Sequence, residues 1–320
     1  MSVNLEINQI TRESALSFFY ANRAGTVFHH PEVAESLGDD IEWWQVNKGS
    51  EPFQLHPVSR SPDGKATVPN FSYHFGPYWS DAFSERPESS RFSDSQKIYK
   101  LVLDHLSQKY SSFQFELSQS DTDVRSFLWW NHDNLKPKLL ITPRYSAVIR
   151  DLQEKPLGVL EQNFREVRRQ EVKKAERSEK FSSSSSFNWR DVEFIYEETL
   201  ARSGSEVNPP QIRESLRKLQ LLAGSTLARS QATIDIETGT LASFVFILRA
   251  KGVTNLVLSL THSDYRNSGV GALAIRQAIF SAKQSGDACF DFNGANSPLR
   301  GDDKHSYGAD PALYFRLESM

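Results

Sequence analysis

The stretch Arg266-Asn267-Ser268-Gly269-Val270-Gly271-Ala272 decides the fold of this chain. It follows an apolar, strand-like run at 255–260 and precedes a segment, 272–283, whose apolar residues recur at helical spacing. A strand, a glycine-bearing turn and a helix N-terminus together direct backbone N–H groups at one anion. Arg266 adds a cation that suits a phosphate. The alternative is an ordinary strand-to-helix turn that needs glycine for a positive φ.

The segments around this turn predict a lobe of the α/β (α+β) class with a mixed, mostly antiparallel sheet. Alternation and short apolar runs predict its strands, and apolar residues three and four apart predict its helices. The predicted strands are 139–149, 231–236, 241–248, 255–260, 288–292 and 313–317, and the predicted helices are 156–177, 189–202, 209–222 and 272–283. Five consecutive serines, Ser182 to Ser186, predict a surface loop between the first two helices.

The first part of the chain predicts a second lobe of the same class. A hairpin is predicted at 41–46 and 53–58, a helix at 95–110 and a strand at 112–117. The long segment from Pro62 to Phe92 is rich in proline, glycine and aromatic residues, and a loop of that length in a compact domain is usually functional. We therefore predict two domains, 1–137 and 138–320.

Composition argues against a membrane-spanning protein, a disulfide-bonded protein and a metal-binding protein. The chain has 320 residues, a formal net charge of −3 and one cysteine, Cys289, in an apolar run that suits the core. No apolar run approaches the roughly 20 residues needed to span a bilayer. No basic, then apolar, leader begins the sequence, which predicts a cytoplasmic protein. A single cysteine excludes an internal disulfide, and the eight histidines show no spacing typical of a metal site.

The turn that opens this section resembles the R-x-x-G-x-G/A loop of the GNAT superfamily through Arg266, Gly269 and Gly271. In that family the loop holds the pyrophosphate of acyl-CoA. The resemblance implies acyl-CoA as co-substrate, without a metal. It also implies a set of cofactor-binding residues, namely Arg266, Asn267, Ser268, Gly269, Val270 and Gly271.

A broader resemblance, to Fem-type acyltransferases, extends over nearly the whole chain in the right order. The segments that carry it are Thr26–Glu32, Tyr73–Tyr78, Asp123–Trp129, Arg165–Ala175, Phe290–Gly294 and Asp303–Ala309. Asp303 stands where the family usually has phenylalanine, whereas Lys304 and the Tyr307-Gly308 pair match the family pattern. The resemblance implies two tandem GNAT-like lobes, of which the first is degenerate and the second carries acyl transfer.

Three residues are candidates for catalysis. Lys304 falls on the lysine that the Fem-type family associates with transfer, where a cation would stabilise an oxyanion or phosphate; the alternative is a solvated loop lysine. Asp291 lies at the end of an apolar strand. There it acts as a base or substrate anchor, and the alternative is that it caps the following turn. Tyr307 is a proton donor, or an aromatic residue that only packs.

Two further segments are candidates for substrate binding. The aromatic loop contributes Tyr73, Tyr78 and Trp79, which suit a sugar or nucleotide by stacking and hydrogen bonding, with core packing as the alternative. The basic helix contributes Arg168 and Arg169. Its glutamates alternate with the cations, so the alternative there is a solvated, salt-bridged face.

These features leave three functions open. The first is an N-acyltransferase that moves an acyl group from acyl-CoA to a small amine, such as an amino sugar, an amino acid or a cell-envelope precursor. The second is a Fem-type transferase that uses aminoacyl-tRNA in cell-wall synthesis, the only case in which tRNA is a partner. The third is a GNAT-like binding module without catalysis.

Overall fold

The protein forms two compact units. The computed structural model describes residues 4–133, 137–204 and 207–320, with residues 299 and 300 described by their backbone alone. Unit 1 consists of the described residues up to Arg144 together with Leu313–Met320, and unit 2 is Tyr145–Ala312. The chain thus returns to unit 1 at its end, which a single division at 137/138 does not include. Residues 1–3, on which the prediction about a leader partly rests, lie outside the described residues.

Unit 1 is built on a sheet in which neighbouring strands run antiparallel. Its order is β1-β2-β3-β4, with β5 also pairing with β3. The elements are β1 (Leu5–Ile10), α1 (Arg12–Ala21), α2 (Pro31–Leu37), β2 (Asp40–Lys48), β3 (Glu51–Arg60), β4 (Ala66–Thr67), β5 (Tyr78–Trp79), α3 (Asp81–Ser84), α4 (Glu88–Lys109), β6 (Gln114–Glu116) and α5 (Arg125–Leu128). The predicted hairpin is confirmed as β2 and β3, and the predicted helix begins earlier, at Glu88.

Unit 2 contains the elements on both sides of the glycine-bearing turn. They are β7 (Leu139–Ile149, which starts in unit 1), α6 (Leu157–Gln162), α7 (Glu166–Arg177), β8 (Phe181–Ser184), α8 (Trp189–Arg202), α9 (Pro209–Leu222), β9 (Ala228–Asp235), β10 (Leu241–Ala250), β11 (Val253–Thr261), α10 (Val270–Gln284), β12 (Cys289–Asp291), α11 (Pro298–His305) and β13 (Asp310–Ser319, which ends in unit 1). The mixed α+β class with helices flanking two sheets is confirmed.

The sheet of unit 2 has the order β7-β12-β11-β10-β9-β8. Only the β11–β12 pair is parallel among the pairs with a described register; the others are antiparallel. β10 is buried from Leu241 to Leu248, as its unbroken apolar sequence predicts for a central strand. Helices α6, α7 and α10 supply much of the core that packs with this sheet.

Three predicted elements of unit 2 were wrong, each for a local reason. The predicted helix 156–177 is broken between α6 and α7, where Phe164 is buried and the N–H of Arg165 donates to the carbonyl of Ser306. Part of the serine run forms β8, because it pairs with β9 along the sheet edge. The segment with Lys304 is helical rather than a loop, since Pro298 starts α11 at a favourable position.

Two searches over the described part of the chain found nothing. No helix there is long and apolar enough to cross a membrane. No group of three or more His, Cys, Asp or Glu side chains in those residues is arranged to hold a metal ion.

Candidate functional site

The candidate site lies where β11 and β12 separate. The two strands pair over only three residues, from Val253 to Asn255 on β11. Beyond that point Asn293 takes a left-handed conformation (φ 54°), and its Nδ2 donates to the carbonyl of Leu256 at 3.0 Å. The rest of β11 then pairs with β10 alone among the described strands. One edge of β11 is therefore open towards its carboxyl end.

A pocket of about 290 Å³ opens at this end of β11. Its walls come from α7, α8, β11, the turn before α10, α10 itself and the end of α11. The lining residues are Arg168, Glu171, Thr199, Arg202, Ser259, Thr261, Arg266, Gly269, Gly271, Ala272, Ile275, Asp303 and Tyr307. The pocket thus gathers residues that are up to 139 positions apart in sequence (Arg168 to Tyr307).

The two glycines of the turn are required by packing. Gly269 has φ 84°, and a Cβ there would lie 2.0 Å from the carbonyl oxygen of Glu171 on α7. A Cβ on Gly271 would lie 2.5 Å from Oγ1 of Thr261. These glycines let α10 start close to both α7 and β11, so the packing alternative for the motif is satisfied without a ligand.

The start of α10 still offers hydrogen-bond donors to the pocket. The N–H of Leu273 is the first in the helix to reach the N-cap carbonyl, that of Gly269. The N–H groups of Gly271 and Ala272 belong to the first turn, which has no intrahelical acceptor. Ser268 Oγ accepts only from Val270 N–H, at 3.2 Å. Because a helix N-terminus favours negative charge, this wall of the pocket suits an anion.

Two arginines add positive charge beside that N-terminus. Neither Arg202, at the end of α8, nor Arg266 forms an ion pair with any carboxylate of the described residues. Partial burial and the neighbouring Arg266 lower the pKa of Arg202. The nearby carboxylate of Glu198 opposes this shift, and its Oε1 accepts from Ser263 Oγ at 2.8 Å. Two adjacent cations that form no ion pair within the described residues favour an anionic ligand.

The opposite end of the pocket holds a hydrogen-bonded group around Arg168. Its guanidinium donates to Glu171 Oε2 at 2.6 Å, to Asp303 Oδ1 at 2.7 Å and to Ser306 Oγ at 2.8 Å. Its centre also lies 5.5 Å from the centroid of the Tyr307 ring. Burial, together with the like charge of Glu171, raises the pKa of the Asp303 carboxyl, although Arg168 opposes the shift.

Tyr307 both packs and faces the pocket. Its ring stacks with Phe292 at 5.7 Å and meets the edge of Phe164 at 5.4 Å, and the residue is 2% exposed. Burial raises the pKa of its phenol above the ordinary value. The hydroxyl therefore stays protonated at neutral pH and is able to donate a proton or a hydrogen bond.

Lys304 lies outside the pocket lining. Its ammonium donates to three backbone carbonyls, those of Phe292 at 2.9 Å, Asn293 at 2.8 Å and Gly294 at 2.7 Å. These contacts hold the segment that leaves β12 and so maintain the separation of the strands. The structure thus gives Lys304 a structural task that the sequence did not indicate, and its catalytic role stays a prediction.

Asp291 also lies outside the pocket lining and is 5% exposed. Its Oδ1 accepts from Ser146 Oγ and from the N–H of Asn293, the latter at 2.7 Å. This geometry matches the turn-capping alternative. A direct role as base or substrate anchor stays a prediction.

The two arginines predicted on the basic helix differ in position. Arg168 lines the pocket, whereas Arg169 donates to the carbonyls of Gln162 at 2.7 Å and Phe164 at 2.6 Å, which closes the end of α6. Another cation of α7, Lys174, donates to the carbonyl of Asn267 at 2.6 Å.

The aromatic residues of the 73–79 loop pack within unit 1. Tyr78 is 2% exposed, with its ring 5.3 Å from Phe18 and 4.4 Å from His29. Trp79 stacks on Phe83 at 4.0 Å. Tyr73 meets the edge of Phe28 at 5.7 Å. Their predicted substrate contacts stay a prediction.

Sequence reasoning missed six lining residues with polar or charged side chains: Glu171, Thr199, Arg202, Ser259, Thr261 and Asp303. Arg202 carries no local signal, because the end of α8 is brought to the turn by packing alone. Asp303 did carry one, since it replaces the phenylalanine typical of the resembled family. Thr199 Oγ1 is buried without a partner in the described structure, a feature that only coordinates reveal.

Comparison with known proteins agrees with this architecture. Residues 162–305 match the family model described as Acetyltransferase (GNAT) domain. The crystal structure of FemX has 12% identity to this chain and a TM-score of 0.65, and the match covers 97% of this chain and 96% of FemX. A tandem GNAT protein from the clavulanic acid biosynthesis pathway has 9% identity and a TM-score of 0.56, covering 99% and 98%. L-PGS from Bacillus licheniformis has 14% identity and a TM-score of 0.53, covering 95% and 90%.

No curated protein sequence matches the chain. The likeness to the solved structures, at such low identity, shows the fold alone. The likeness of fold supports a double GNAT fold, and the segment that matches the GNAT domain model, 162–305, lies within unit 2.

Proposed function

We propose that unit 2 transfers an acyl group from acyl-CoA to the amine of a small acceptor, such as an amino sugar, an amino acid or a cell-envelope precursor. The observation that carries this proposal is the combination, in one pocket, of an anion-accepting end and a proton-donating end. Arg202, Arg266 and the start of α10 form the first end, and Tyr307 forms the second.

The anion-accepting end suits the pyrophosphate of CoA. Backbone N–H groups at a helix N-terminus and two arginines that form no ion pair within the described residues supply the contacts that phosphate oxygens prefer. The open edge of β11 suits the amide-containing arm of the same molecule, because an extended chain pairs with a free strand edge. Under this proposal the turn from Arg266 to Gly271 binds the pyrophosphate of CoA through the side chain of Arg266 and through backbone N–H groups.

The proton-donating end suits acyl transfer to nitrogen. The acceptor nitrogen attacks the thioester carbon, a tetrahedral oxyanion forms, and the carbon–sulfur bond then breaks. The leaving thiolate takes a proton, and a buried phenol that stays protonated at neutral pH is a suitable donor. We assign that task to Tyr307.

The proposed setting is the cytoplasm, where CoA thioesters are formed.

Titration calorimetry with CoA tests this proposal. We expect one CoA per chain, and the double variant Arg202→Gln/Arg266→Gln should weaken binding at least tenfold, about 1.4 kcal/mol. Arg217→Gln is the matched control, because Arg217 is exposed and pairs only with Glu214 within α9. Equal affinity in the double variant and the control would contradict the assignment. Binding of aminoacyl-tRNA but not of CoA would favour the Fem-type alternative, and binding of neither would favour a non-catalytic module.

A further inference from the structure

We propose that Asp303 is the general base of the reaction, which removes a proton from the ammonium group of the acceptor before it attacks the thioester. This inference rests on the proposed function and adds a catalytic residue to it. The sequence alone gave Asp303 no role beyond a departure from the Fem-type pattern.

The position of Asp303 carries the inference. The residue lies on the last turn of α11, and its carboxylate lines the same pocket as Tyr307. One carboxylate oxygen accepts from Arg168 at 2.7 Å, so the side chain is held at the wall. Arg168 is itself fixed by Glu171 and Ser306. We therefore infer that Arg168 is a positioning residue, which aims the second carboxylate oxygen at the pocket.

The groups around Asp303 act on the pKa of its carboxyl in both directions, with a net upward shift. From α7 it faces the cation of Arg168 and the carboxylate of Glu171, and on its own helix it neighbours Lys304 and Asp302. Lys304 is turned to backbone carbonyls and Asp302 to Arg165. Burial and Glu171 raise the pKa of Asp303 above its ordinary value. A base is most efficient when its pKa approaches the working pH, so this environment favours the role.

The protons balance in the proposed sequence. Asp303 takes one proton from the ammonium group and leaves a free amine, whose electron pair forms the new carbon–nitrogen bond. The tetrahedral intermediate collapses and expels the thiolate, which receives the proton of Tyr307. The second proton on nitrogen returns to Tyr307, and Asp303 gives its proton to solvent. The products are the amide, CoA thiol and one released proton.

The test compares two probe acceptors, ethylamine and hydroxylamine, with acetyl-CoA as donor and thiol release as the signal. Ethylamine is protonated at neutral pH and needs a base, whereas hydroxylamine is mostly unprotonated. We expect Asp303→Asn to lower the rate with ethylamine about a hundredfold, the lower range for a general base, and to affect hydroxylamine much less. The wild-type rate with ethylamine should rise with pH through the pKa of Asp303, and the variant should lose that limb.

Asp302→Asn is the matched control, because this neighbour pairs with Arg165 and does not line the pocket. Equal losses with both amines in Asp303→Asn would overturn the inference and leave a merely structural carboxylate. A wild-type protein that binds CoA but releases no thiol with either amine would overturn the inference together with acyl transfer. Thermal unfolding of Asp303→Asn, expected to match wild type, separates both results from a folding defect.

Discussion

The two units share an architecture but differ in what their polar side chains do. In unit 2, the helix after the open strand edge starts at a glycine, and Arg202 and Arg266 lie beside it without an ion pair among the described residues. In unit 1, the long helix α4 starts after Pro87, and polar side chains bind one another: Trp79 donates to Asp121, and Tyr110 donates to Glu42. A candidate site therefore differs from a core in that its polar side chains are free to bind a ligand, and not in how many polar side chains it has.

The largest expected effect concerns Gly269, whose conformation places α10 against α7. Gly269→Ala forces an alanine to φ 84° and puts its Cβ against a carbonyl, which should destabilise unit 2 by on the order of 4 kcal/mol. Gly286→Ala is the matched control, because Gly286 has the same φ and nothing within 4 Å. Chemical denaturation measures both. Equal losses of unfolding free energy in the two variants would show that the close approach of Gly269 to α7 does not contribute to stability.

Substitution of Lys304 should have the next largest effect, which we expect on the free energy of unfolding. Lys304→Met removes three charge-assisted hydrogen bonds and leaves three carbonyls unpaired, which should cost about 3 kcal/mol. Lys173→Met, at an exposed position on α7, should cost close to nothing. If Lys304→Met instead keeps wild-type stability and loses kcat about a hundredfold, the catalytic role predicted from the sequence holds and the structural account of this lysine fails.

A smaller effect should appear in unit 1 on acidification. Burial, with His29 and His105 nearby, lowers the pKa of His56 from 6.5 to about 3. The unfolded chain then binds a proton first, so stability present above pH 6.5 is lost as the pH falls towards 3. At pH 5 the loss should be about 2 kcal/mol.

Denaturation of wild type and His56→Leu at pH 7 and pH 5 checks the prediction for His56. The variant should lack this pH-dependent loss, because it has no group to protonate at that position. A His132→Gln control, at an exposed position, should behave as wild type. The same loss in His56→Leu as in wild type would assign the pH dependence to other groups.

Local sequence patterns predicted the elements of unit 2 well where the cap residue and the apolar periodicity of a segment indicate the same element. Helices α8 and α9 begin and end at the predicted residues, since Asn188 and Asn208 cap them and their apolar stripes are regular. The break after α6 and the strand β8 were missed, because a tertiary hydrogen bond and edge pairing decide them. In both cases the local pattern was compatible with the wrong element.

The candidate site was predicted only in part, for a similar reason. The glycine-bearing turn and Tyr307 have sequence signatures, and both line the pocket. Arg202 and Glu171 come from helices whose residues there look like ordinary surface positions. Lys304 has a family signature, but the direction of its ammonium depends on where the chain after β12 passes. Side-chain direction across distant segments is tertiary information, which spacing along one sequence does not hold.

Hydrogen exchange with and without CoA tests the central claim most directly, because it reports both units in one measurement. We predict that CoA slows amide exchange in the second half of β11 and over residues 267–273, and in no peptide from the 73–79 loop or the start of α4. Slowed exchange in that loop or at the start of α4, with residues 267–273 unchanged, would contradict the assignment of the donor site to unit 2.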